Sequence, residues 1–234
     1  MTTEAVGNVL RAEDGTALVL RHKDNRTPVR KVTCGTDKSE RVAGISSAHT
    51  YPVLILLPPS EKKAAVAGPA ISVYTGVLYS ALGWATLSES AQARGENSIA
   101  IISAKYGVLK PLDEIAPYKE KINTGAMRES VSTTLAALSS ELIIDCRSST
   151  YKGVWTPPYD KNVEIKVFTK VDGVKKVITH MSKKTRGEVT RLLLLSEIPP
   201  KNPKELAEIV SAAFDCELFD SNGKGPWFLE VIAQ

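Results

Sequence analysis

The sequence predicts an α/β protein (mixed α+β) whose single main domain holds a mixed, partly parallel sheet flanked by helices. In the first half of the chain, short apolar runs alternate with helical patterns, and this alternation favours parallel strands joined by helices. In the second half, segments of alternating polarity are joined by Asp172-Gly173 and by Asn222-Gly223, which are typical of hairpin turns. Together these patterns predict one sheet with both parallel and antiparallel strands.

The first strand is expected over Val53–Leu57, an apolar run that stops at two prolines. A helix over Val77–Leu87 follows it. Glu89–Arg94 either extends this helix or follows it, and ends at Gly95, a residue suited to a helix C-terminus. The next apolar run, Ser98–Ile102, again has the length of a buried strand.

An apolar stripe predicts a helix over Ser130–Leu142, and Leu142–Asp145 is predicted to be a third buried strand. In the second half, Val163–Thr169 and Val174–Ile178 alternate in polarity and form the predicted hairpin strands. The remaining pattern predicts two helices and a closing pair of strands, over Thr185–Leu195, Pro203–Ala213, Phe214–Phe219 and Trp227–Ile232.

Residues 1–50 differ in character from the rest of the chain. Ala17–Leu20 is long enough for a strand, but polar and basic residues follow it. We therefore predict a basic, β-rich N-terminal extension, either a small hairpin-like arm or a partly ordered segment, ahead of a domain over residues 51–234. The lysines and arginines of the extension suit contacts with phosphate groups, and a solvated basic face is the alternative explanation.

The composition narrows the expected cofactors and cellular location. A formal net charge of +4 is mildly basic and does not by itself require a nucleic-acid partner. The three cysteines are widely spread and the three histidines lie far apart, so no disulfide framework, metal site or cofactor is predicted. Because no secretory signal pattern and no membrane-length apolar run is present, we expect a cytoplasmic protein without a membrane partner.

Polar side chains follow three of the predicted strands at the point where each strand ends. These groups are Ser60, Glu61 and Lys62, then Ser103, Lys105 and Tyr106, and then Arg147, Ser148, Ser149 and Tyr151. If the strands are parallel neighbours, their carboxyl ends form one edge, which is where open α/β sheets bind ligands. The tight turn Tyr74-Thr75-Gly76 precedes a predicted helix, and its backbone N–H groups either bind an anion or simply cap that helix.

Five blocks of the sequence resemble the YaaA family, also called the peroxide stress, DUF328 or UPF0246 proteins. They occur in the family's order and are Leu56-Leu57-Pro58-Pro59-Ser60-Glu61-Lys62, Val73-Tyr74-Thr75-Gly76, Ser103-Ala104-Lys105-Tyr106-Gly107 through Pro117-Tyr118, Asp145-Cys146-Arg147-Ser148-Ser149, and Lys183-Lys184-Thr185-Arg186-Gly187 with Arg191. Two features differ from the family pattern. Only Lys63–Ser72 separates the first two blocks, where the family has a long helical segment, and extra residues precede the first block.

The polar groups at the strand ends and the resemblance together indicate a set of residues that bind a ligand or its phosphate groups. They are Lys62, Tyr74, Thr75, Gly76, Ser103, Tyr106, Gly107, Tyr118, Lys119, Arg147, Ser148, Ser149, Lys183, Lys184, Arg186 and Arg191. For the last four, a solvated basic helix face is the alternative. The candidates for catalysis are Ser60, Lys62, Tyr106, Asp113 and Tyr151, although the sequence contains no recognisable nucleophile–base pair.

Two functions follow from these observations. The resemblance implies a cytoplasmic protein of the peroxide or oxidative stress response, which binds double-stranded DNA or another phosphate-bearing ligand in a cationic cleft. The alternative is an enzyme that acts on a nucleobase, a nucleotide or a similar small anionic substrate at the strand ends. The two differ in salt dependence, because duplex binding weakens steeply as salt rises and binding in a small-molecule pocket does not.

Overall fold

The computed structural model describes residues 9–11, 17–19 and 50–233. The chain divides into two units, residues 1–45 and residues 46–234. In the first unit, β1 (Val9–Arg11) pairs antiparallel with β2 (Ala17–Val19). The other residues of the predicted N-terminal extension, and the basic residues assigned to it, lie outside the described residues.

The second unit contains ten strands and seven helices among its described residues. The strands are β3 (Thr50–Leu57), β4 (Gly68–Pro69), β5 (Ile99–Ser103), β6 (Gly107–Leu109), β7 (Glu114–Ile115), β8 (Ser139–Asp145), β9 (Asn162–Val171), β10 (Val174–Lys176), β11 (Cys216–Phe219) and β12 (Trp227–Ile232). The helices are α1 (Ala70–Val73), α2 (Val77–Leu82), α3 (Glu89–Ser98), α4 (Thr124–Ala136), α5 (Ser149–Lys152), α6 (Thr179–Leu195) and α7 (Pro203–Ser211). None of these helices has the length and hydropathy to cross a membrane.

The main sheet has the strand order β11-β12-β9-β8-β3-β5-β6, and β10 pairs with β9 outside this path. The five strands from β12 to β5 run parallel to their neighbours. The strands β11, β6 and β10 pair antiparallel, and β4 and β7 form a separate short ribbon. The predicted fold class, a mixed and mostly parallel sheet flanked by helices, is confirmed.

Helices cover both faces of this sheet. On one face, Ile55 of β3 lies in a core shared with Leu82 of α2 and Val189 of α6. On the other face, Leu54 packs in a second core with Leu135 of α4. Successive residues of β3 are therefore buried on opposite faces, which explains why a central parallel strand has a continuous apolar sequence.

The helices α2 and α6 approach each other closely at Gly187. A Cβ atom on Gly187 would lie 2.1 Å from the carbonyl oxygen of Leu78, so a side chain at this position does not fit. Near the other end of the contact, Gly83 has a φ of 60° and ends α2. The block Lys183 to Arg191 thus holds a glycine that helix packing requires.

Two helix ends predicted in the first half of the chain are wrong, and a glycine explains each difference. Because Gly83 adopts the left-handed conformation, α2 ends at Leu82 and not at Leu87. Gly95 does not end a helix, since α3 continues to Ser98. A Cβ atom on Gly95 would lie 2.4 Å from Cζ3 of Trp84, so this glycine makes room for the indole ring.

Two further boundaries also differ. The helix predicted over Ser130–Leu142 spans Thr124–Ala136 instead, and Ser139–Asp145 forms β8. The apolar residues at the junction fit both a helical and a strand period, and the pairing of β8 with β3 decides for the strand. The helix α6 starts at Thr179, ahead of the predicted start, so β10 is shorter than predicted.

Candidate ligand site at the carboxyl edge of the sheet

Three of the parallel strands end side by side. β3 lies between β8 and β5, and Leu56 pairs with Asp145 while Leu57 pairs with Ile101. The polar groups that follow these strands therefore lie along one edge of the sheet. We call the group formed by Ser60, Lys63, Tyr74, Ser103 and Tyr118 the carboxyl-edge site.

Three hydroxyl groups form a chain in this site. The Oγ atom of Ser103 accepts hydrogen bonds from the backbone N–H groups of Lys105 (3.2 Å) and Tyr106 (3.1 Å) and lies 2.8 Å from Oη of Tyr118. Oη of Tyr118 lies 2.8 Å from Oη of Tyr74. Either oxygen can donate at each of these two hydroxyl contacts. Burial raises the pKa of Tyr74 and a hydrogen bond with Ser103 opposes this shift, so the three hydroxyls form one connected group.

The side chain of Lys63 lies over the rings of Tyr118 and Tyr74. Its Nζ atom is 4.0 Å from the ring centroid of Tyr118 and 5.7 Å from that of Tyr74, distances at which a cation is attracted to an aromatic ring. Burial lowers the pKa of Lys63, and the carboxylates of Glu120 and Glu61 oppose this shift. Among the described residues the ammonium group has no hydrogen-bond acceptor, so it is free to bind an anion.

The phenols of Tyr74 and Tyr151 remain protonated at neutral pH. Burial raises the pKa of Tyr74, and burial with the neighbouring Tyr118 and Glu61 raises the pKa of Tyr151 to about 12. These groups therefore act as hydrogen-bond donors and not as phenolate nucleophiles. Tyr106 stacks edge-on against Tyr118 with ring centroids 5.6 Å apart, and 37% of its surface is exposed.

The loop after β3 is tied to the turn before α2. The backbone N–H of Thr75 donates to the carbonyl of Lys62 (3.0 Å), and Lys63 pairs with Tyr74 as an isolated antiparallel bridge. A Cβ atom on Gly76 would lie 2.2 Å from Oγ of Ser60, so Ser60 rests directly against this turn. Gly76 is the N-cap residue of α2, and no side chain caps that helix.

Arg147 lies beneath the edge and is only 1% exposed. Its Nε and Nη2 atoms donate to Oδ1 (3.0 Å) and Oδ2 (2.8 Å) of Asp145. Nη1 and Nη2 also donate to the carbonyl oxygens of Tyr151 (3.2 Å) and Trp155 (3.1 Å). The guanidinium group thus holds the segment after β8 in place. In that segment Ser148 is the N-cap residue of α5 and Ser149 is exposed.

The loop after β5 is held by a different set of bonds. Oδ2 of Asp113 accepts the backbone N–H of Lys110 (2.7 Å), and the carbonyl of Asp113 accepts the N–H of Ala70 (2.8 Å). Gly107 has a φ of 77° and faces open space. Lys119 is exposed beside Tyr118. Asp113 therefore stabilises the loop. Among the described residues, its carboxylate makes no hydrogen bond to a residue of the carboxyl-edge site.

The four basic residues of α6 lie in different surroundings. Arg191 donates from Nη1 to the carbonyl oxygens of Leu82 (2.9 Å) and Gly83 (3.0 Å) and so completes the end of α2. Arg186 donates to the carbonyl of Ile165 (3.4 Å). Lys184 forms an ion pair with Glu188 (3.1 Å). Lys183 is exposed and has no ion-pair partner among the described residues.

The sequence pattern predicted Lys62 as a residue of this edge and did not indicate Lys63. Lys62 is exposed, whereas Lys63 is half-buried against the tyrosine rings. The apolar rings of Tyr74 and Tyr118 come from distant parts of the sequence, and their contact with a lysine has no local pattern. The bridge between Lys63 and Tyr74 decides which of the two adjacent lysines turns inward.

The fold and site define an α/β protein with polar groups gathered at the carboxyl ends of its parallel strands, a position typical of ligand sites. A sequence profile described as peroxide stress protein YaaA matches residues 37–217. The chain belongs to this family, as its five sequence blocks predict. The match starts inside the range assigned above to the N-terminal extension, and the boundary at residue 50 stays a prediction.

Individual relatives are similar over most of their length. A UPF0246 protein of Streptomyces coelicolor is 28% identical over 211 residues, which cover 84% of this chain and 79% of the relative. A UPF0246 protein of Corynebacterium glutamicum is 33% identical over 193 residues, covering 76% and 74%. A UPF0246 protein of Shewanella piezotolerans is 27% identical over 208 residues, covering 82% and 78%.

The buried ion pair beneath the site gives a stability prediction. Arg147→Met should lower the free energy of unfolding by about 3–5 kcal/mol, because the carboxylate of Asp145 stays buried without its partner. Urea unfolding followed by circular dichroism measures this change. The double variant Asp145→Leu/Arg147→Met should lose less, since it leaves no buried charge.

Lys184→Met is the matched control, because its ion pair with Glu188 is half-exposed. It should change the free energy of unfolding by less than about 1 kcal/mol. Equal losses in Arg147→Met and Lys184→Met would contradict the account of the buried pair.

Proposed function

We propose that this YaaA-family protein acts in the cytoplasm in the response to peroxide by binding a phosphate-bearing ligand at the carboxyl-edge site. The observation that carries the proposal is the position of Lys63. Its ammonium group lies over the rings of Tyr118 and Tyr74, whose hydroxyls contact each other, and it has no hydrogen-bond acceptor among the described residues. A bound phosphate oxygen would supply that acceptor.

The chemistry of the neighbouring residues supports a phosphate group. Phosphate oxygens accept hydrogen bonds only, and they bind most strongly to charged or well-oriented donors. Lys62 and Lys119 are exposed next to Lys63 and Tyr118 and add positive charge. The exposed ring of Tyr106 offers a face on which a base can stack.

Charge in the surrounding loops favours a nucleotide-sized ligand over a duplex. Glu61 and Glu120 lie in the same loops as the lysines, and Glu120 pairs with Lys105 at 3.4 Å. The positive region around Lys63 is therefore local. A duplex presents a row of phosphates and gains most from a continuous basic surface, whereas a single nucleotide needs only a local one.

The N-terminal end of α6 lies on the carboxyl side of the sheet, which also supports the proposed site. Leu193 near the C-terminus of α6 lines a cavity with Val53 at the beginning of β3. Further back along the helix, Arg186 reaches the carbonyl of Ile165, in the middle of β9. The helix thus runs antiparallel to the parallel strands, and Lys183 in its second turn adds to the potential on the carboxyl side.

Replacing Lys63 tests the proposal. Lys63→Met should weaken binding of a fluorescent ATP analogue by about tenfold or more, because a charge-assisted contact is worth roughly 1.5–3 kcal/mol when partly desolvated. Fluorescence titration of the analogue and of a labelled DNA duplex, each at low and high salt, measures both affinities. Lys204→Met changes an exposed lysine at the start of α7 and should leave both unchanged.

Each outcome of this titration is decisive. Binding of the ATP analogue that depends on Lys63 and only mildly on salt supports the proposal. A steeply salt-dependent affinity for the duplex alone would replace the nucleotide with DNA. Identical affinities of wild type and Lys63→Met for both probes would overturn the proposal.

A second candidate is an enzyme that transfers a proton on a small anionic substrate in the same site. The specific observation is the pairing of a lysine of lowered pKa with phenols of raised pKa, since such opposed shifts suit acid–base work. In this reading the Lys63 amine removes a proton, and a hydroxyl of Tyr74 or Tyr118 donates a hydrogen bond that stabilises the resulting anion.

The lysine of this candidate has a measurable pH dependence. Burial lowers the pKa of Lys63 in the folded state, so its neutral amine should form at a lower pH than in the urea-unfolded chain. Competitive labelling with acetic anhydride across a pH series, read by mass spectrometry, gives both midpoints. Glu120→Gln should lower the folded midpoint further, because the Glu120 carboxylate raises it. A folded midpoint at or above the unfolded one would remove this candidate.

A further inference from the structure

A second concavity lies at the opposite end of the sheet from the carboxyl-edge site. It has a volume of about 430 Å³ and lies between α3, the C-terminal turn of α6 and the first half of β3. Its floor is formed by Val53, Ile55 and Leu193, all at most 5% exposed. Its rim includes exposed residues of α3, so it is open to solvent. This volume is in the range of small-molecule sites and far exceeds an ordinary packing void.

One cationic side chain, that of Arg94, lies in the wall of this cavity beside its apolar floor. Nε of Arg94 donates to the carbonyl of Leu194 (2.8 Å), which fixes the guanidinium group at the wall. The two terminal nitrogens of Arg94 have no acceptor and no ion-pair partner among the described residues. A guanidinium group held by Nε and free at its outer edge is suited to a planar anionic group such as a carboxylate.

The other charged side chain at the cavity is acidic. Glu197 lies on the rim, is exposed and forms no ion pair in the described chain. Its carboxylate favours a ligand with one negative charge over a ligand with several. The apolar floor requires an apolar body.

We infer that this cavity is a binding site for a small amphipathic monoanion, an apolar ring system or short chain that carries one carboxylate or sulfonate. The anionic group lies on the outer edge of Arg94, and the apolar body covers Val53, Ile55 and Leu193. The site is independent of the carboxyl-edge site, which takes phosphate groups through Lys63.

A matched pair of probes tests this inference with the full chain. 1-Anilinonaphthalene-8-sulfonate has an apolar ring system and one negative charge, and N-phenyl-1-naphthylamine is the same ring system without the charge. Both should bind the wild type with a rise in fluorescence, and the sulfonate should bind more tightly. Arg94→Gln should weaken binding of the sulfonate by about tenfold and binding of the neutral probe by less than about twofold.

Two further variants test where the probes bind and whether the effect is specific to Arg94. Ala93→Phe fills the cavity from an exposed position of α3 and should weaken both probes. Arg128→Gln is the matched control. Arg128 lies on a different helix, α4, and its Nε also donates to a backbone carbonyl, that of Gly153. It should leave both affinities unchanged.

The inference fails on any of three results. Failure of both probes to bind the folded wild type would overturn the cavity as a ligand site. Equal losses of both probes in Arg94→Gln would overturn the role of charge. Undiminished binding to Ala93→Phe would place the probes elsewhere. None of these results depends on Lys63, so they leave the phosphate proposal untouched.

Discussion

The buried ion pair between Asp145 and Arg147 fixes the chain that follows the central strand of the sheet, at the same edge as the candidate site. Asp145 ends the central strand β8, and the guanidinium group of Arg147 turns back to bind its carboxylate with two hydrogen bonds. The same group holds the carbonyls of Tyr151 and Trp155. One charge pair therefore fixes the path of the chain after β8 and sets Tyr151 beside the other tyrosines. Such a pair stabilises little by itself, but removing one partner is costly, which makes the geometry specific.

The sequence predicted the architecture because a buried parallel strand leaves a clear pattern. Val53–Leu57 and Ile99–Ile102 are apolar at every residue, and the structure buries them on both faces. The hairpin at Asp172-Gly173 followed from its turn residues, both of which have positive φ. Helix ends were less predictable. Gly95 is a residue type that often ends a helix, but here it makes room for the ring of Trp84. The local sequence pattern does not predict this contact.

The position of the site was predictable from the sequence, but only some of its residues were. Polar residues after three strands identified the correct edge, and the resemblance to the YaaA family identified Ser103, Tyr74 and Tyr118. What could not be derived was the direction of each side chain. Lys63 turns to the tyrosines while Lys62 faces solvent, and Arg147 is buried beneath the site. These outcomes depend on pairing between distant segments, and a single sequence does not encode them as a local pattern.

The most direct test of the central claim is a crystal structure of the protein soaked with ATP. The account predicts electron density at the carboxyl edge, with a phosphate oxygen within hydrogen-bond distance of Nζ of Lys63 and of the hydroxyl of Tyr74 or Tyr118. Density for ATP only at a different surface, with Lys63 still unpartnered over the ring of Tyr118, would contradict it.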